Sequence, residues 1–100
     1  MKDICLIIRN LSEVLRNLKT VGTLDQTCLS EFEKIDEGEY TLIVKQDVQF
    51  SAAKKCTFLE AIGTICNVMQ MDVEFKGSSR VFPDGYEKDY YKIELLLRSR

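Results

Sequence analysis

Histidine and tryptophan are absent from this 100-residue chain, and proline occurs only once. Without histidine a Cys/His zinc site cannot be completed, and the side chain best suited to proton transfer near neutral pH is missing. General acid–base work would fall to carboxylates, lysine, tyrosine or cysteine. Five glycines and one proline leave little room for linkers, so one domain spanning residues 1–100 is expected. No apolar run approaches the ~20 residues that cross a bilayer. The longest run near the start, Ile4 to Ile8, lies between Asp3 and Arg9 with no small-residue cleavage site. Neither a membrane span nor a signal peptide is expected. A large charge of one sign is also missing. A net charge of −2 argues against a protein whose main task is to grip nucleic acid, because phosphate contacts supply most of that affinity.

What is present is the composition of a folded domain, 45% hydrophobic and 30% charged. The four cysteines (Cys5, Cys28, Cys56, Cys66) form no C-x-x-C pair. Cys5, Cys56 and Cys66 sit among apolar residues in helical registers, where a free thiol behaves as a small buried hydrophobe. All four are expected to be reduced, in a cytoplasmic setting. No metal and no cofactor is implied. A core-facing thiol with no histidine beside it is the opposite of a reactive thiolate, so catalysis is not expected.

Apolar residues at Ile4, Ile7, Ile8, Leu11, Val14, Leu15, Leu18 and Val21 recur at helical spacing, with Asp3 as a cap and Gly22 as a stop. The stripe Cys28, Leu29, Phe32 and Ile35 predicts a second helix over 24–35, ended at Asp36-Glu37-Gly38. Tyr40, Leu42 and Val44 alternate as a strand, which could extend through Val48 and Phe50. Ser51 caps a third helix to about Met69, with Gly63 as a point of close approach to the sheet. Met71, Val73 and Phe75 form a strand broken at Gly77-Ser78-Ser79, and Tyr91 to Leu97 form the last one. The prediction is an α+β fold in the order α-α-β-α-β-β. Its small three-stranded sheet, mixed or antiparallel, packs against the helices, and its last two strands pair antiparallel.

Two segments stand out as candidate surfaces. Between Asp25 and Glu39 six acids face one base, a net of −5. A charge run of this kind is ordinarily a solvated helix end. Its functional alternative is a docking surface for a basic partner, with Glu31, Glu33, Asp36, Glu37 and Glu39 as the contacts. The loop and hairpin from Lys76 to Lys92 interleave bases with aromatics, among them Arg80, Phe82, Tyr86 and Tyr90. Such a pattern can stack nucleobases. Here Asp84, Glu87 and Asp89 nearly cancel the bases, and the aromatic signature of ribonucleoprotein domains is absent. An interface with another protein, anchored by tyrosine and arginine, is favoured. Gly77-Ser78-Ser79-Arg80 follows a strand but has neither a Walker lysine nor a helix after it, so it is no phosphate cradle.

These observations lead to a non-enzymatic interaction module, an inhibitor, adaptor or regulator that binds another protein. Small inhibitory proteins of viruses and mobile elements are of this class by association only. Nucleic-acid binding by the 76–92 hairpin is the alternative. Leu96 on the nominally polar side of the last strand raises a further expectation, a homodimer formed by edge pairing of that strand.

Overall fold

The computed structural model describes residues 3–85 and 87–100. Six elements follow in the order α1 (Ile4–Thr20), β1 (Leu29–Asp36), β2 (Glu39–Gln46), α2 (Ala52–Val68), β3 (Met71–Val81) and β4 (Tyr90–Ser99). The fold is α+β as expected, but its order is α-β-β-α-β-β and its sheet has four strands, all antiparallel to their neighbours, in the order β1-β2-β4-β3.

The two helices form where capping and apolar spacing agree. The Asp3 carboxylate accepts the Cys5 N–H at 2.9 Å, and the Ser51 hydroxyl accepts the Lys54 N–H at 3.1 Å, each satisfying an amide that the first helical turn leaves unpaired. Ile7, Leu11, Leu15 and Leu18 line the buried stripe of α1, and Phe58, Ile62 and Cys66 that of α2. Both stripes cover one face of the sheet, against Tyr40, Leu42 and Val44 of β2 and Ile93, Leu95 and Leu97 of β4. Phe58 is wholly enclosed, a position where truncation to alanine costs about 3–5 kcal/mol. Cys28 and Cys66 belong to this core, but Cys5 and Cys56 do not, contrary to their apolar neighbourhoods in sequence. Cys56 precedes Phe58 by two residues, about 200° around a helix, and so points away from the core.

The predicted second helix is the strand β1. Its hairpin with β2 turns at Glu37-Gly38, and Gly38 has φ +71°, a conformation that ends a helix or closes a turn equally well. The β2 strand stops at Gln46 and does not continue through Val48 and Phe50. The Gly77-Ser78-Ser79 stretch does not break β3. A bulge at Lys76 shifts the register from Phe75–Leu95 to Gly77–Glu94, and pairing continues to Val81. Gly63 makes no close approach, since a Cβ built there meets nothing within 4 Å. The last strand is interior, bonded to β2 on one side and β3 on the other, so the edge pairing expected of it is closed to a second copy. The free edges are β1 and β3.

Gln46 is the one buried polar side chain among the described residues. Its Oε1 accepts the Asp25 N–H at 3.0 Å and its Nε2 donates to the Val48 carbonyl at 2.7 Å. It thereby ties the segment entering β1 to the segment leaving β2. The Thr27 hydroxyl and N–H both donate to the Asp25 carboxylate and hold its pKa below the usual aspartate value.

Candidate interaction surface

Alternation along the strands divides the sheet into a helix-covered face and an open one. An antiparallel sheet tolerates this when the open side is polar. Glu31 and Glu33 of β1 project to the open face, as do Thr41, Ile43 and Lys45 of β2 and Lys92, Glu94, Leu96 and Arg98 of β4. Leu96 lies in register between Thr41 and Glu74 and is only 7% exposed, so neighbours cover it on the side away from the helices.

The acidic residues are not one cluster. Glu31 Oε1 lies 2.8 Å from Lys45 Nζ, and this hydrogen bond raises the lysine pKa. Glu37 pairs with Lys34 at 3.1 Å, and Glu39 meets Arg98 at 3.5 Å. The Asp36 carboxylate accepts the Glu37 N–H inside the hairpin turn. Glu33 has no ion pair among the described residues and is exposed. Exposed pairs of this kind contribute roughly 0–1 kcal/mol each, so they shape the surface potential more than the stability.

The hairpin residues divide as well. Tyr90 lies at the end of the open face, its ring centroid 5.3 Å from Lys45 Nζ. Through that lysine it joins the acidic strand, in the row Tyr90–Lys45–Glu31. Arg80 is in register with Tyr91 on the helix side of the sheet, at the opposite edge. Its guanidinium stands 4.8 Å from the Phe82 ring and 5.6 Å from the Tyr91 ring, and its Nε donates to Asp89 at 2.8 Å. That hydrogen bond raises an arginine pKa that is high already. Phe82 is 69% exposed and belongs to this second group. Tyr86 lies outside the described residues.

Lys45 was missed in the sequence, although the alternation of β2 already set it opposite Tyr40, Leu42 and Val44. It is the residue that links the two candidate segments. Concavities among the described residues are open depressions. One of about 340 Å³ lies between the start of α2 and β3 and is lined by Phe50, Lys55, Ser78, Arg80 and Tyr91 among others. Among the described residues no cluster of potential metal ligands gathers and no helix is long and apolar enough to cross a membrane. No protein-family model matches the chain, and no curated protein matches it as a relative.

Proposed function

We propose that this chain is a small non-enzymatic module, an inhibitor, adaptor or regulator, that acts by binding another protein through the open face of its sheet at the β1 side. One observation carries this: β1 is a free sheet edge that holds Glu31 and Glu33 side by side on a face no helix covers. A rigid sheet presents these charges in fixed geometry, Glu31 held by Lys45 at 2.8 Å and Glu33 with no ion pair among the described residues, and such acids steer a basic partner and set its register. The surface thiols Cys5 and Cys56 fit a reducing, cytoplasmic setting. Nucleic-acid binding by the hairpin has less support. Arg80, Lys88 and Lys92 each stand near an acid, at 2.5, 3.5 and 3.8 Å, which offsets the charge that phosphates would need.

The test compares proteins retained from lysate of the producing cell on the wild type, on Glu31→Lys/Glu33→Lys and on Arg80→Ala/Tyr90→Ala. A partner held by the wild type and lost on charge reversal is expected. Nuclease-sensitive capture, or single-strand binding that falls steeply with salt and with Arg80→Ala, would establish the rival instead.

A further inference from the structure

We propose that β1 receives an extended segment of the partner as a fifth strand, and that this segment alternates basic with apolar residues; the inference rests on the protein-binding reading above. Its main chain is available. Outside its ladder with β2, no main-chain hydrogen bond to β1 exists among the described residues. The opposite edge is less suitable, because β3 carries the bulge at Lys76, and bulges disrupt further pairing. The register of β1 is regular from Leu29 to Lys34.

The two sides of this edge differ in chemistry. On the open side Glu31 and Glu33 are spaced by one strand period, so alternate side chains of an added strand would meet both. On the helix side the register places Ser30, Phe32 and Lys34, of which Phe32 is the apolar member. Its ring is stacked on Tyr40 at 5.3 Å. Leu6 and Asn10 of α1 share a depression with Val68 and Met69, which identifies the flank of α1 turned toward α2. Ile4 and Ile8 lie on the other flank and are 36% and 41% exposed. α2 packs against both α1 and β3, so this flank of α1 is the one turned away from β3. An added strand would therefore place basic side chains beside Glu31 and Glu33, and an apolar one beside Phe32.

A second copy of this chain does not suit the same edge. A two-fold axis normal to the sheet pairs β1 with itself antiparallel and keeps each face in common. Centred on Phe32, that pairing sets Glu31 opposite Glu33. One step either way it sets Glu33 opposite Glu33 or Glu31 opposite Glu31. Like charges directly opposite oppose pairing.

The test uses two synthetic peptides matched to the eight residues of β1, one alternating lysine with valine and one of the same composition in blocks. Binding to the full chain is followed by titration and by amide exchange. The alternating peptide is expected to bind, to slow exchange of β1 amides by about tenfold or more, and to weaken about tenfold in Glu31→Gln/Glu33→Gln. The blocked peptide should leave β1 exchange unchanged. Both acids are exposed, and circular dichroism verifies that the variant is folded. Equal binding of the two peptides, protection confined to β3 or the 82–90 segment, no binding by the alternating peptide, or a wild-type dimer through β1 would each overturn the proposal. A lysate partner that still depends on Glu31 and Glu33 would then leave the protein-binding reading standing, whereas a wild-type chain that retains no such partner refutes the reading itself.

Discussion

Replacing Gln46 with methionine keeps the volume and the apolar stem while removing both hydrogen bonds. The Asp25 N–H and the Val48 carbonyl, now bonded at 3.0 and 2.7 Å, lose their partner. A buried group left unsatisfied costs about 1–3 kcal/mol, so two would cost about 2–6 kcal/mol. Val48 is exposed and Asp25 half-buried, so water can recover part of this. The expected loss lies near the low end, about 2 kcal/mol. Against the roughly 5–15 kcal/mol typical of a domain this size, that is a substantial fraction. It corresponds to a fall in Tm of about 8–16 °C. Urea unfolding followed by circular dichroism would measure it, with the midpoint lowered and the slope m unchanged. A Gln46→Met variant within about 0.5 kcal/mol of wild type would refute the argument that this side chain pins the two segments together.

Reversing the charge of Glu33 alone should create the self-pairing that the acids now oppose. In the pairing centred on Phe32, the new lysine of each copy meets Glu31 of the other. Sedimentation velocity at roughly 100 μM is expected to show association for Glu33→Lys but not for wild type or Glu31→Lys/Glu33→Lys, in which like charges again face each other. A strictly monomeric Glu33→Lys chain would count against the edge argument. The thiols offer an independent check on the core. Burial pushes the Cys66 thiol up to about 11, and Cys28 is raised for the same reason. At pH 8 about one Cys66 in a thousand is a thiolate, so iodoacetamide should label Cys5 and Cys56 in the native protein, and Cys28 and Cys66 only after denaturation. Native labelling of Cys66 as fast as Cys5 would contradict the packing.

Much of the fold was legible in the chain, because α1 and α2 agree with their sequence signals at every level. Asp3 and Ser51 are good caps, and Leu11, Leu15, Ile62 and Cys66 recur at helical spacing. β2 alternates cleanly and β4 does so except at Leu96, because one of their faces is buried by both helices. β1 failed for a physical reason. It needs to bury little more than Phe32, and its Leu29 and Ile35 are exposed, so the apolar residues that mimic a helical stripe have no common face in the folded chain. Its glutamates are good helix formers, and Gly38 closes a hairpin as readily as it caps a helix. The bulge at Lys76 was hidden in the same way, since Gly77-Ser78-Ser79 reads as a break while pairing with β4 carries the strand onward.

Of the described residues singled out for function, Glu31, Glu33, Asp36, Glu37, Arg80 and Phe82 are exposed and Glu39 and Tyr90 half-buried, and they fall into groups other than the two segments of the sequence. By itself the sequence determined that α1 and α2 are helical by capping and period, that an acidic run precedes Tyr40, and that no histidine is available for chemistry. Only the tertiary structure decided that Glu31, Glu33 and Asp36 of that run lie on an edge strand, that Tyr90 joins Glu31 through Lys45, and that Arg80 and Phe82 belong to the other side. Sequence spacing sets what a segment prefers locally, whereas strand order is settled by long-range pairing. It was the pairing of β4 with β2 and β3, and not with β1, that left β1 with an open side.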